Sequence, residues 1–412
     1  MAQSVSHFLS KLPVMIIAFL VLTNGCGTLG CNYTSIISFG DSIADTGNSL
    51  YSKSGGGAEL NLPYGETYFH RPTGRFSNGR LIIDFIAESL GLPLVPPYLG
   101  GGDFKHGVNF AVGGATALKA SSDNSLDVQL GWFQKLLPSL CNSSSDCNEF
   151  FRRSLFLVGE IGGNDYNYPF FQGISVEVIQ ALVPKVINTI SSAITTLITH
   201  GAATLVVPGN LPIGCSVEYL AIFKSQNKDD YDPQSGCLNW LNEFSQYHNS
   251  LLQKELDRLQ TLYPNTTIVY ADYYNASMLF YSSPAQYGFS GSTNKACCGG
   301  GNFESNQICG SQKCGSPGAS VCSDPSSYVS WDGIHLTEAA YRWMAMSIVQ
   351  GPYIVPPRIN MSCVPLSKKV SDYSLTQDVN RVFLLWQSSP SSLTNSMSRP
   401  LEVPLETRSW IG

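Results

Sequence analysis

Four short segments of the 412-residue chain carry residue types suited to nucleophilic chemistry. The first is Gly40-Asp41-Ser42, directly after the apolar run Ser35–Phe39. A serine just past a buried strand sits where doubly wound α/β folds place their ligands. Gly40 permits a turn tighter than a bulkier residue accepts. The chain contains no G-x-S-x-G, so the strand-to-helix elbow of the α/β-hydrolases is not the setting of this serine. Taken alone, Gly-Asp-Ser also reads as a helix N-cap after a strand. A serine nucleophile needs a base. Among the six histidines, His335 follows Asp332 by three residues in Trp331-Asp332-Gly333-Ile334-His335-Leu336-Thr337, just ahead of a helix candidate. On a turn, that spacing lets the carboxylate orient the imidazole and stabilise the imidazolium. In isolation the same pattern is a capped helix start. His7 falls in the N-terminal leader region. His70, His106, His200 and His248 have no carboxylate at that spacing in such a setting.

An acyl-transfer site also needs donors for the negative charge that develops on the carbonyl oxygen. Asn109-Phe110-Ala111-Val112-Gly113-Gly114-Ala115-Thr116 offers glycine N–H groups that a ligand can approach closely. Gly159-Glu160-Ile161-Gly162-Gly163-Asn164-Asp165 holds an amide side chain in a glycine-rich turn. Either segment by itself is an ordinary turn.

The elements that must position these groups alternate. Strand candidates are Ser35–Phe39, Val108–Ala111, Ser154–Val158, Thr204–Val207 and Thr267–Tyr270. Helix candidates are Arg80–Leu90, Leu126–Leu137, Val176–Thr199, Leu238–Leu262 and Thr337–Val349. In the fourth, Leu241, Phe244, Leu252, Leu256 and Leu259 recur at helical spacing. Alternation of this kind predicts an α/β fold, a parallel sheet of about five strands with helices on both faces.

Hydrophobic residues make up 43% and charged residues 13%, against roughly 25% charged in an average soluble chain. A net charge of -6 without a basic block argues against nucleic acid as a partner. Lys11 and the apolar run Leu12–Leu22, followed by small residues, read as a secretory signal peptide over about residues 1–28. No later run of eighteen consecutive apolar residues suggests a stable membrane anchor. Sequons at Asn32, Asn142, Asn265, Asn275 and Asn360 are candidate glycosylation sites in that compartment. The 12 cysteines include no C-x-x-C pair, so disulfides rather than a metal site are expected, with the pairing open. Residues 285–330, rich in Gly, Ser and Cys, read as a disulfide-stapled insertion within a domain spanning 29–363. Residues 364–412, rich in Ser and Pro, read as a disordered tail.

Together the four segments resemble, in order and in wide separation, the four blocks of the GDSL-type lipase/esterase family within the SGNH hydrolases. The similarity spans about residues 35–362. Two further stretches typical of plant members support it, Pro72-Thr73-Gly74-Arg75-Phe76-Ser77-Asn78-Gly79-Arg80 and Val207-Pro208-Gly209-Asn210-Leu211-Pro212-Ile213-Gly214-Cys215. The resemblance implies a three-layer α/β/α, flavodoxin-like SGNH hydrolase fold. It implies Ser42 as nucleophile, His335 as general base and Asp332 as its orienting acid. The oxyanion hole would be the Ser42 and Gly114 backbone N–H groups with the Asn164 side chain, and neither a cofactor nor a metal is required. Among plant members the chain looks most like the branch that includes acetylajmalan esterase and sinapine esterase. The expected activity is hydrolysis of small-molecule carboxylic esters (EC 3.1.1.-), with small-acyl or aromatic esters of plant specialised metabolites as substrates and a secreted, extracellular or vacuolar location. The same acyl-enzyme would serve an acyltransferase, and the same fold a non-catalytic defence or binding protein. Family members usually end soon after a segment like Gly351-Pro352-Tyr353, so the tail is a departure.

Overall fold

A computed structural model describes residues 33–52, 57–119, 122–290, 293–299, 313–355, 359 and 361. Among them, six strands form one sheet in the order β2-β1-β3-β4-β5-β6. These are β1 Ser35–Phe39, β2 Gly107–Asn109, β3 Ser154–Val158, β4 Thr204–Pro208, β5 Thr267–Ala271 and β6 Ile354–Val355. The first five are parallel, as the alternation predicts. β6 pairs antiparallel with β5 and is too short to show a period in the sequence. β2 stops at Asn109 rather than Ala111, although the Phe110 and Val112 N–H groups still donate to the Ser38 and Gly40 carbonyls.

Strands buried on both faces read as continuous apolar runs, which is why periodicity alone does not show which residue faces which layer. Ile37, Phe39, Phe156, Val158, Leu205, Val207 and Ile268 share one core cluster with Phe133, Ile190, Ile194, Phe244 and Leu252. Those last residues come from α2 (Leu126–Leu140), α6 (Val183–Thr199) and α8 (Asn239–Leu262). Their alternates Ile36, Leu155, Leu157, Val206 and Val269 are equally buried and point to the opposite layer. Helices α1 (Ile82–Ser89), α9 (Tyr273–Ser282) and α10 (Glu338–Val349) pack together there. The architecture is therefore a three-layer α/β/α fold.

Shorter helices complete the connections: α3 Ser144–Arg152, α4 Gly163–Phe171, α5 Val176–Gln180 and α7 Val217–Ile222. Two differ from expectation. The stretch 176–199 reads as one helix but divides into α5 and α6. Pro184 in the first turn of α6 has no N–H to continue a preceding helix. By length and composition this stretch is long and apolar enough to cross a membrane, although polar residues interrupt it throughout. In the fold, Val186, Ile190, Ile194 and Leu197 of α6 are buried in the core cluster, while Lys185, Asn188 and Ser192 lie on its other side. α3 fills what reads as a loop, because Ser143 accepts the Asp146 N–H as its N-cap and the Cys141–Cys147 disulfide closes the segment.

The cysteines in the Gly/Ser/Cys-rich region pair as Cys297–Cys322 and Cys298–Cys314, and Cys215 pairs with Cys237. This staple adjoins the functional loop. The Cys297 and Cys298 N–H groups donate to the Ser330 and Trp331 carbonyls, and fully buried Trp331 packs on Cys297, Cys298, Cys314 and Tyr64. Sequons Asn142, Asn265 and Asn275 are exposed. The leader at 1–28, Asn32, Asn360, Cys26, Cys31, Cys309, Cys363 and the tail 364–412 lie outside the described residues. Replacing Cys297 and Cys322 together by alanine should cost about 3 kcal/mol of stability, as expected for opening a loop of that size. Denaturant unfolding measures it, and an unchanged midpoint would show that the staple contributes nothing.

Candidate active site

The strand order changes direction at β1, which has β2 on one side and β3 on the other. In such sheets the crevice lies outside the carboxyl ends of the strands at that point. Ser42 follows β1, Gly113 and Gly114 follow β2, and Asn164 follows β3. All but Gly113 line one cavity of about 290 Å³, together with His335.

Gly40 has φ of +141°, and a Cβ there would stand 3.0 Å from the Glu160 carbonyl oxygen, so the turn into Ser42 requires glycine. Gln129 of α2 fixes the same turn from below, accepting the Gly40 N–H at 3.0 Å and donating to its carbonyl at 2.8 Å. Residues 41–45 form a single helical turn that no regular helix continues, so Ser42 is not a helix cap. Its side chain meets His335 Nε2 at 2.8 Å, and His335 Nδ1 meets Asp332 Oδ2 at 2.7 Å. Ser42 and His335 are 293 positions apart in the chain.

Asp332 shapes its own loop as well as its histidine. Its Oδ1 accepts the N–H groups of Ile334 and His335 at 3.1 and 2.8 Å, and its Oδ2 also accepts the Tyr64 hydroxyl at 2.8 Å. Helix α10 starts later, at Glu338, with Thr337 as its cap, so Asp332 is not the capping residue. Burial by itself would raise the Asp332 carboxyl, but the His335 ring and these donors hold it down to about 2. For His335, burial works to lower the pKa, yet Asp332 outweighs it and the imidazole is raised above its ordinary value.

The two supporting stretches brace this loop from either side. Arg75 makes a buried two-point ion pair with Asp84 at 2.8 Å and donates to the Thr46 carbonyl at 3.0 Å. That anchor presents Phe76 against the His335 ring, with centroids 4.9 Å apart. Ser77 donates to the Leu336 carbonyl at 3.1 Å, and Asn78 accepts the Glu338 N–H at 2.8 Å. From the other side the Ser216 hydroxyl and Glu218 N–H both donate to the Gly333 carbonyl, at 2.8 and 3.1 Å.

The other candidate donors gather next to Ser42. The Ser42 and Gly114 N–H groups have no partner among the described residues. Tyr168 donates to the Gly114 carbonyl at 2.8 Å. Asn164 lies in the first turn of α4, not in an irregular loop. Its Nδ2 donates to the Ala115 carbonyl at 3.0 Å and to Asp41 Oδ2 at 3.1 Å. The remaining histidines sit elsewhere: His248 is buried beside Tyr166 and burial lowers it to about 3, while His70 and His106 face backbone carbonyls. Among the described residues no group of three or more His, Cys, Asp or Glu side chains is placed to hold a metal ion.

Sequence reasoning names Phe76 and Glu160 only as members of longer segments and passes over Tyr64 and Gln129. Tyr64, Phe76, Gln129 and Glu160 come from segments far from the residues they touch. Asp45 was visible after Ser42, but its role was not. Its carboxylate accepts the N–H groups of Gly47, Asn48, Ser49 and Gly113, tying the first segment to the second. Burial raises the Asp45 carboxyl to about 6 against the pull of those donors. Asp45-Thr46-Gly47-Asn48 is a turn signal, and such a turn supplies three of the four N–H groups, the fourth coming from Gly113.

The GDSL-like Lipase/Acylhydrolase family model matches residues 36–348. This chain belongs to that family, and with it to the carboxylic-ester hydrolases. GDSL esterase/lipase At1g28570 of Arabidopsis thaliana is 53% identical over 379 residues, covering 87% of this chain and 96% of the relative. GDSL esterase/lipase At2g27360 of the same plant is 50% identical over 394 residues, covering 92% and 98%. The enzyme thus takes small-molecule esters as substrates.

The raised imidazole has a direct kinetic consequence. As the base for Ser42, His335 would have to be neutral to accept a proton, and its pKa is raised above the ordinary value of about 6.5. Activity should be full above that pKa and lost as pH falls through it, so the acidic limb of kcat/KM should lie above about pH 6.5. Asp332→Asn should cut kcat by about 10⁴-fold through loss of the tautomer and the imidazolium partner. A pH–rate profile of both proteins measures this, and wild-type rates in Asp332→Asn would dissolve the pairing.

Proposed function

We propose that Ser42 is the nucleophile of a secreted esterase, with His335 as general base and Asp332 as the acid that orients it. The observation that carries this reading is the hydrogen-bonded series Ser42–His335–Asp332 at 2.8 and 2.7 Å on the wall of a cavity. Ser42 Oγ attacks the ester carbonyl carbon while its proton passes to His335 Nε2. The imidazolium is stabilised by the ionised Asp332, and the carbonyl oxygen becomes an oxyanion. The free N–H groups of Ser42 and Gly114 are suited to receive that oxyanion, with the Asn164 amide as the third donor. His335 then gives its proton to the departing alcohol oxygen, leaving an acyl group on Ser42. Water enters, loses a proton to His335 and attacks the acyl carbon. Breaking the Ser42 Oγ–carbon bond releases the acid.

The substrate reading rests on the cavity. Its walls include Phe76, Tyr168, Phe171, Leu211, Ile213 and Tyr219. At about 290 Å³ it lies at the lower end of the range of roughly 300–1,000 Å³ found for ligand clefts. That favours a short or single-ring group over a long acyl chain. A second cavity of about 350 Å³ shares Phe76, Gly114 and Tyr168 with the first and is lined by Ser49, Glu59, Asp123 and Asn124. Two chambers, one apolar and one polar, meeting at Gly114 suit an ester whose two halves differ in polarity. Small-acyl or aromatic esters of plant specialised metabolites fit this description. Secretion is supported by four disulfides and three exposed sequons.

Ser42→Ala should abolish hydrolysis and covalent labelling by a fluorophosphonate while the protein still folds. Asn164→Ala should lower kcat by about 10²–10³-fold with little change in KM, as for loss of one oxyanion donor. Rates on acetyl, butyryl, long-chain and sinapoyl esters, with and without an added alcohol acceptor, test the substrate class and separate hydrolysis from acyl transfer. Labelled or active Ser42→Ala protein, or a preference for long chains, would refute the corresponding part.

A further inference from the structure

Asn164 is poorly placed to be an unassisted oxyanion donor. Its amide nitrogen has two hydrogens, and both are engaged, one by the Ala115 carbonyl and one by Asp41 Oδ2. To reach a developing oxyanion the amide must give up or share one of these bonds. The Ala115 carbonyl is a fixed neutral acceptor. Asp41 is the variable partner, because hydrogen bonds to an ionised carboxylate are roughly twice as strong as those to a neutral group. An ionised Asp41 would compete with the oxyanion for the Asn164 hydrogen and would repel the negative charge beside Ser42.

Glu160 is the group that lies against Asp41. It is buried, lines the cavity with Asp41, Ser42 and Asn164, and takes no part in the steps described above. Its backbone carbonyl accepts the Asp41 N–H at 3.1 Å, and its side chain is hydrogen-bonded to the Asp41 carboxyl and to the Gly163 N–H. A Cβ on Gly163 would stand 2.8 Å from Glu160 Oε1, so the glycine beside Asn164 makes room for this carboxylate. Two carboxylates in contact and out of water do not both ionise. Burial, then the Glu160 charge, push Asp41 well above the usual carboxylate range. Glu160 is raised by burial alone and drawn back by its bonds to Asp41 and the Gly163 N–H. The pair therefore holds one proton between its two carboxyl groups.

We propose that Glu160 is a positioning residue for ester hydrolysis, acting through its contact with Asp41 so that the Asn164 amide is free to turn from Asp41 to the oxyanion. This rests on Asn164 being an oxyanion donor. Glu160→Gln removes the neighbouring charge, lets Asp41 ionise and fixes the Asn164 amide on it.

The test is a double-mutant cycle on the secreted enzyme, with folding followed by thermal unfolding and by fluorophosphonate labelling of Ser42. Asn164→Ala alone should lose turnover; if it does not, the oxyanion reading itself fails and takes this proposal with it. Glu160→Gln should lower kcat by roughly tenfold or more, bounded by the loss in Asn164→Ala, with KM held within about threefold. In the Asn164→Ala background the same substitution should change kcat by less than about twofold, because the group it acts through is gone. An equal loss in both backgrounds, or none in the wild type, overturns the proposal while leaving Asn164 in its role. Should Glu160→Gln not fold, Glu160→Ala, which also removes the neighbouring carboxylate, replaces it in the cycle. A loss confined to the background that retains Asn164 supports the proposal, and a loss of the same size in both overturns it.

Discussion

One imidazole, held between a carboxylate and a hydroxyl, is the constraint around which this fold is arranged. His335 bridges Asp332 and Ser42 through two hydrogen bonds under 3 Å, and its two partners come from opposite ends of the domain. A loop carrying a buried aspartate and a partly buried ring does not hold such geometry unaided. Four separate supports act on it: the disulfide staple under Trp331, the Tyr64 hydroxyl on Asp332, the Arg75–Asp84 anchor behind Phe76, and the paired donors of Ser216 and Glu218 on Gly333. Each removes a freedom that would otherwise cost rate, since displacement of a reacting group by about 1 Å can cost about 10²-fold.

The floor of the site is built from acid groups that are kept out of water. Asp41, Asp45, Glu160 and Asp165 are all buried within two short segments. Burying a charge is costly unless hydrogen bonds replace its hydration. Asp45 and Asp165 are compensated by backbone N–H groups, Asp165 by those of Ala117 and Leu118 at 2.7 and 2.9 Å. The Gly113 N–H on Asp45 and both donors on Asp165 belong to a neighbouring segment, so the same bonds that satisfy the acids also lock the turns that carry Ser42, Gly114 and Asn164. Asp41 and Glu160 lie against each other instead, Asp41 accepting from the Ile43 N–H and the Asn164 amide and Glu160 from the Gly163 N–H. The difference between the two arrangements separates acids that build the site from acids able to respond to its chemistry.

The chain order of the strands places this floor. Because β1 lies between β2 and β3, the three turns that follow them open into one crevice. Helices α2, α6 and α8 back one face of the sheet and α1, α9 and α10 the other. α10 also carries Glu338, which pairs with Arg80 at 2.6 Å and ties the loop of His335 to the segment of Phe76.

The sequence by itself determined the element types, since strong apolar runs of five residues and long 3.6-period faces are local properties. It also offered the candidate site residues, because Gly-Asp-Ser, the paired Asp332 and His335, Gly114 and Asn164 each bear a signature within a few residues. The order of the segments was enough to reach the family. Other features were decided only by the tertiary structure, for one physical reason: they are contacts between segments tens to hundreds of residues apart. The strand β6 and the pairing of the cysteines around 297–322 depend on what each piece packs against, whereas the break between α5 and α6 carries a local mark in Pro184. Tyr64, Phe76, Gln129 and Glu160 carry no local mark of function, and their roles exist only where folding sets a hydroxyl, a ring, an amide or a second carboxylate within reach of the site. The engagement of both Asn164 hydrogens is of the same kind, because it depends on the Ala115 carbonyl and the Asp41 carboxyl arriving from two other strands.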